Sequence, residues 1–191
     1  MGTTHTTRSE EDALRALVVI DLQQDLCLGV PELDSVVQRV NALAARAREE
    51  GAPVFEVRTT HLPDGSTWAL NMRDDGQGMA LRGSEGWGPV PGLELPGAQL
   101  VEKTRDDAFL GTDLADRLRG AGVDAVVLCG VTTEACVAVT GASAYGHDLR
   151  VVVAEDAVAS SDDEAHIRAL KWLEEQYRAE LVRSDQVRFT G

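Results

Sequence analysis

The chain reads as an α/β protein, a three-layer αβα sandwich around a mostly parallel central sheet of about six strands. Three observations predict this. Short apolar runs of strand length alternate with longer segments whose apolar residues recur at helical spacing. The strand runs are continuously apolar, which implies a sheet covered by helices on both faces. No internal repeat, low-complexity tract or linker interrupts the alternation, so residues 14–191 are expected to form one domain behind a disordered polar tail at 1–13.

The first strand is centred on "LVVI", residues 17–20, and leads into the loop "QQDLCLGVPEL" with its Gly29 and Pro31. In "DSVVQRVNALAARAREEG", Val36, Val37, Val40, Leu43, Ala44 and Ala47 share one helical face; Asp34 is the expected N-cap and Gly51 the stop. "PVFEVRTT" is a second strand. From His61 to about Leu100 the periodicity fails, and the stretch is rich in Gly and Pro. Such a long irregular segment is uncommon in a compact domain and is often a lid or binding loop. "AQLVEK" is a third strand and "GTDLADRLRGAG" a helix capped by Thr112. "DAVVLCG" is the most apolar strand and is expected at the centre. "TTEACVAVTGASAYGH" is a helix and "LRVVVAED" a strand. "SDDEAHIRALKWLEEQYR" is a helix with a Ser161–Glu164 capping box and a face through Ile167, Leu170 and Leu173. "AELVRS" supplies a last strand.

Lys plus Arg number 18 against 32 Asp plus Glu, a net charge of −14. Such a chain is not built to bind nucleic acid by neutralising phosphates; the excess reads as a solubilising surface. No apolar run approaches the roughly 20 residues that span a bilayer, so no membrane partner is expected. The polar opening "MGTTHTTRSEED" lacks the apolar core of a secretory signal, and its fit to a myristoylation pattern is assigned to chance. With only three cysteines, the expected compartment is the cytoplasm, with reduced thiols.

Ligands of parallel α/β sheets bind outside the carboxyl ends of the strands. Asp21 closes the first strand, Lys103 closes the third, and Cys136 follows the fourth in the first turn of its helix. Each has an ordinary structural reading: a turn residue, a solvated charge, a small core hydrophobe. Their agreement in position favours chemistry. A thiolate is the reactive form of cysteine. The helix N-terminus and a neighbouring ammonium would lower the pKa of the thiol. A carboxylate would take the thiol proton and return it to a leaving amine. Backbone N–H groups at the turn before Cys136 would hold an oxyanion.

"LCGVTTEACVAV" carries two of the three cysteines, which a metal clip, a redox pair or one reactive thiol beside a packed one would each explain. Six residues separate Cys129 and Cys136 and no second ligand pair follows, which fits neither zinc nor a C-x-x-C redox site. Cys129 reads as packing and Cys136 as the reactive thiol. Cys27 follows the first strand and has no assigned role; neither have His147 and His166.

The stretches "VVIDLQQDL", "VEKTRDDAFLGTDL" and "VVLCGVTTEACVAVTGASAYGHDLRVVVAEDAVAS" together resemble the isochorismatase-like cysteine hydrolases, among them nicotinamidases and N-carbamoylsarcosine amidase. The resemblance runs from about Ala16 to Leu181. It implies Cys136 as nucleophile, Asp21 as general acid/base, and Lys103 as the group that lowers the thiol pKa and orients the pair. It implies a cis peptide between Val131 and Thr132 that aims the Thr132 and Cys136 N–H groups at one oxyanion site. It also implies a homodimer or homotetramer. Metal-binding nicotinamidases carry an Asp-x-His pair after the second strand; here Thr59 replaces the Asp and leaves His61 alone, so no metal and no other cofactor is expected. Leu26 stands where the family often has an aromatic residue. Leu26, Trp68 and Trp87 are the candidate pocket residues, with loop anchoring as the competing role of the tryptophans.

The expected substrate is a small-molecule amide, lactam or carbamoyl compound cleaved through a thioester. The alternatives are a vinyl-ether hydrolase of the isochorismatase type, which needs no sulfur nucleophile, and a non-catalytic binding member. Asp74, Asp75 and Glu85 suggest an acidic rim that would attract a cationic substrate, although Arg73 and Arg82 share the segment.

Overall fold

β1 (Arg15–Ile20) is buried along almost its whole length and lies inside the sheet. Its side chains divide by strand alternation: Leu17 and Val19 enter one core, Ala16, Val18 and Ile20 the other. The computed structural model describes residues 14–190, so the tail expected at 1–13 lies outside the described residues.

Six strands form one sheet in the order β3-β2-β1-β4-β5-β6, and every pairing is parallel. The others are β2 (Val54–Thr59), β3 (Gln99–Lys103), β4 (Ala125–Val131), β5 (Arg150–Ala159) and β6 (Glu180–Val182). β4 is buried at all of its positions, as the most apolar strand should be. Helix α1 (Leu33–Glu49) covers one face through the six residues its periodicity marks. The other face holds Leu114 and Leu118 of α3 (Leu114–Gly120), Ala138 and Ala144 of α4 (Ala138–Gly146), and Ala169 and Leu173 of α5 (Asp163–Tyr177). This is the three-layer sandwich the alternation predicts.

Several local expectations shift. α1 begins at Leu33, with Glu32 as N-cap, so Asp34 lies in the first turn, where its charge suits the helix dipole. Asp113 occupies the N-cap of α3; the Thr112 hydroxyl still accepts from Leu114 N–H at 3.3 Å. α5 is capped by Asp162, whose carboxylate accepts from Ala165 N–H at 2.9 Å, not by Ser161. Ile167 on α5 is 64% exposed, because the buried stripe runs through Ala169 and Leu173. The irregular segment after β2 contains one short helix, α2 (Leu70–Asp75). It is pinned to the loop after β1: Gln24 N–H donates to Gly88, Val90 N–H to Leu22, and Ala80 N–H to the Asp25 carboxylate.

The register positions the site. Ile20 pairs with Val57 on one side and Gly130 on the other, and Thr59 pairs with Lys103. The order reverses direction at β1/β4, and the crevice beyond their carboxyl ends is where such sheets bind ligands. Gly130 is obligatory there. Its φ is 114°, and a Cβ would overlap the Ile20 carbonyl oxygen.

Candidate active site

Four elements converge on the carboxyl edge. Asp21 turns out of β1 at a φ of 53°, an uncommon conformation for a non-glycine residue, and is buried. Thr59 ends β2 and Lys103 ends β3. After β4 the Val131–Thr132 peptide is cis, and the chain enters a π-helical turn, Thr133–Val137, before α4. Cys136 sits in that turn, where π-helical turns are frequently found at functional sites.

Lys103 Nζ is the hub. It lies 2.7 Å from Asp21 Oδ2 and 3.4 Å from Cys136 Sγ, and it donates to Thr59 Oγ1 and to the Arg105 carbonyl, each at 2.9 Å. Asp21 Oδ1 accepts from Thr59 N–H at 2.8 Å and from the Thr59 hydroxyl at 3.0 Å. Thr59 therefore bridges the ion pair, donating to the carboxylate and accepting from the ammonium. The lysine is fully buried yet satisfied, and a charge buried this deeply persists only when it is paired and hydrogen-bonded. Burial pulls the Lys103 ammonium down, but Asp21 and then Cys136 outweigh it, and its pKa ends above the usual lysine range.

The thiol behaves differently from expectation. Burial is the largest influence and pushes the Cys136 pKa up; Asp21 adds to it, Lys103 opposes it, and Asp106 contributes a smaller upward push. The anticipated lowering by Lys103 exists but loses to burial and to Asp21. The Asp21 carboxylate stands beside this sulfur, placed to receive its proton. Asp106 Oδ1 stands 3.8 Å from Sγ on the exposed side.

A family model for the isochorismatase domain matches residues 15–186. The chain is 38% identical over 157 residues to the uncharacterized isochorismatase family protein YecD of Escherichia coli O157:H7, covering 79% of this chain and 82% of that protein. The chain belongs to the isochorismatase family. It is also 35% identical to a streptothricin hydrolase of Streptomyces noursei, over 78% of this chain and 56% of that protein. Among solved structures, N-carbamoylsarcosine amidase from Thermoplasma acidophilum superposes with a TM-score of 0.80 at 30% identity, covering 91% of this chain and 98% of that one. The isochorismatase family thus includes amide hydrolases with this fold.

Within this isochorismatase domain, Asp21, Lys103 and Cys136 meet, as the strand-end rule anticipates. The residues do not fit a metal in the manner of a metal-binding nicotinamidase. Thr59 is engaged between Asp21 and Lys103, and His61 directs Nδ1 at the Thr67 carbonyl, 2.9 Å away. Among the described residues no group of three or more His, Cys, Asp or Glu side chains is arranged to hold a metal ion. Burial, the largest influence, lowers the pKa of His61.

Trp87 reaches the edge of the cluster: its indole donates to Thr60 Oγ1 at 2.8 Å, beneath the Arg58 guanidinium. Trp68 donates to Leu62 O at 3.0 Å and packs on Gly65, which ties its own loop together. Leu26 is half-buried in the turn after β1, near Cys27. Cys27 is buried, its Sγ directed at the Asp21 carbonyl; burial, then Asp21, raises its pKa to about 12. Fully buried Gln23 donates to the Thr59 and Trp87 carbonyls, locking the loops around Asp21.

Two contacts around the cluster escape sequence reasoning. Thr59 reads as an ordinary β-branched strand residue, and only the β2–β3 register reveals its bridge. His166, left without a role, meets buried Thr133 Oγ1 at 2.8 Å and ties α5 to the turn that carries Cys136. His147 stacks on Phe109, a packing role.

Proposed function

We propose that the protein is a cysteine hydrolase that cleaves a C–N bond of a small-molecule amide, lactam or carbamoyl compound through a thioester on Cys136. The observation that supports this best is Lys103 Nζ in simultaneous contact with the Asp21 carboxylate and the Cys136 sulfur, at 2.7 and 3.4 Å. In this reading Asp21 accepts the thiol proton as sulfur attacks the carbonyl carbon. The developing oxyanion lies at the Thr132 and Cys136 N–H groups. Collapse breaks the C–N bond, and Asp21 returns the proton to the departing amine. Water then attacks the thioester while Asp21 takes its proton; the carboxylic acid leaves and the thiol is regenerated.

Lys103 fixes both partners and offsets negative charge on sulfur during attack, when it matters most. The elevated resting pKa of the thiol is compatible with this, because proton transfer and attack are coupled through Asp21. The vinyl-ether reading draws on that same elevated pKa, since Asp21 chemistry without sulfur would leave the thiol a bystander. Three free cysteines suit a reducing cytoplasm. A homodimer or homotetramer is the expected assembly, with a small-molecule amide as the substrate.

Acid-quenched intact-mass spectrometry during turnover of an amide, ureido and lactam panel tests the proposal. An acyl adduct on Cys136, with at least a thousandfold loss of turnover in Cys136→Ala, is expected. Undiminished turnover in Cys136→Ala, with isochorismate among the probes, would move the assignment to the vinyl-ether class.

A further inference from the structure

The segment that follows Lys103 carries two adjacent aspartates with different employment. Asp107 accepts from Phe109 N–H at 2.8 Å and shapes the turn. The Asp106 carboxylate has no ion pair among the described residues; its side-chain contact is the Cys136 thiol at 3.8 Å. The nearby cations make their contacts with other groups. Lys103 is held by Asp21, Thr59 and the Arg105 carbonyl. Arg105 directs Nη1 at the Thr67 carbonyl, 3.0 Å away, and at its neighbour Thr104. An exposed carboxylate with no ion pair among the described residues therefore stands beside the sulfur.

We propose that Asp106 is the specificity residue of this pocket and receives a cationic group, an ammonium or amidinium, carried by the substrate near its scissile carbonyl. The proposal rests on Cys136 being the nucleophile. An attack distance of about 3–3.5 Å and a charge-assisted hydrogen bond of about 2.8 Å, on either side of the 3.8 Å between sulfur and carboxylate, keep that cation within about 10 Å of the carbonyl carbon. Asp74, Asp75 and Glu85, the rim suggested by composition, make no hydrogen bond or ion pair to this cluster among the described residues. Asp106 replaces that diffuse rim with one carboxylate at the reacting atom.

The same position couples recognition to reactivity. Asp106 opposes formation of the thiolate. A docked cation neutralises it and brings positive charge toward sulfur, so attack becomes easier when a matching substrate is bound. A neutral amide leaves that opposition in place.

Charged thiol reagents read this directly on the full-length protein. Cys136 is labelled with trimethylammonioethyl, methyl and sulfonatoethyl methanethiosulfonate, and each rate is divided by that of the same reagent with free 2-mercaptoethanol. The cationic reagent is expected to be favoured over the neutral one by roughly tenfold at low salt, less as ionic strength rises. Asp106→Asn should reduce that ratio to near one, and Asp106→Glu should retain most of it. The charges of all other residues are the same in wild type and variant, so their difference isolates Asp106. An unchanged ratio in Asp106→Asn overturns the proposal while leaving a reactive Cys136 intact. No labelling of Cys136 by any reagent overturns the nucleophile assignment and this proposal with it.

Discussion

The interior of β4 and the π-helical turn just beyond it each present a cysteine, and the two thiols have opposite surroundings. Cys129 is fully buried, its Sγ 3.8 Å from the Val18 carbonyl, and burial alone raises its pKa. Cys136 is also raised chiefly by burial, but it faces Asp21, Lys103 and Asp106. Depth therefore does not distinguish the two thiols. What differs is a carboxylate able to take the proton and an ammonium able to balance the charge left behind. Gly130 makes the contrast geometrically feasible: it lets β4 approach the end of β1 before the chain turns Cys136 back over Asp21.

Lys103→Met would break the comparison most severely. It leaves the Asp21 carboxylate buried without its counter-charge, which should cost about 3–5 kcal/mol in chemical denaturation. It also removes the cation that pulls the Cys136 pKa down, so alkylation of Cys136 at pH 8 should fall by about tenfold or more. Cys129, with no charged partner, should be unaffected in the folded state. The pH sign follows from the raised pKa of Lys103. Its stabilising contribution is complete below the unfolded value of about 10.4 and is lost as pH rises through the higher folded value. The stability gap between wild type and variant should narrow above that pH. A constant gap would mean that Lys103 acts through packing alone.

Thr59→Val is a finer cut. It keeps shape and the N–H donated to Asp21 but deletes the hydroxyl between carboxylate and ammonium. Hydrogen bonds to charged groups are worth about 1.5–3 kcal/mol, and a loss in that range is expected, with Thr59→Ser restoring most of it. In turnover of an amide substrate the effect should fall on kcat rather than KM, because the bridge orients the reacting pair without touching substrate. A stability loss with unchanged kcat would reduce Thr59 to a packing residue.

These residues also mark how far the sequence is legible. The sheet was readable because its signal is local: continuous apolar runs and one periodic face on α1. The meeting of Asp21, Lys103 and Cys136 was readable because parallel sheets gather strand ends at one edge. Thr59 was not, since its role arises from pairing with Lys103 across 44 positions. The sign of the Cys136 pKa was not, since it depends on how deep the sulfur lies. Asp106 and Asp107 are indistinguishable as letters and separate only by what each carboxylate touches. "SSDDE" offers several cap residues, and the structure selects Asp162. The apolar spacing of α5 admits Ile167, but packing against α4 runs through Leu173.

The smallest expected effect concerns the tether of the turn itself. Thr133 is fully buried, and its hydroxyl meets His166 Nδ1, which links α5 to the segment presenting Cys136. His166→Ala leaves that hydroxyl unpartnered and should cost about 1 kcal/mol. The cost alone does not separate a structural clasp from a positioning contact, because any buried hydroxyl resists losing its partner. A double-mutant cycle with Thr133→Val does. If the bond serves only stability, coupling of about 1 kcal/mol should appear in denaturation and vanish from kcat. If it positions the turn, the same coupling should appear in kcat and in the Cys136 alkylation rate, while Cys129, on the strand side of Gly130, stays silent. The second pattern is expected, because Thr133 and Cys136 share one π-helical turn and a shift in one carries the other.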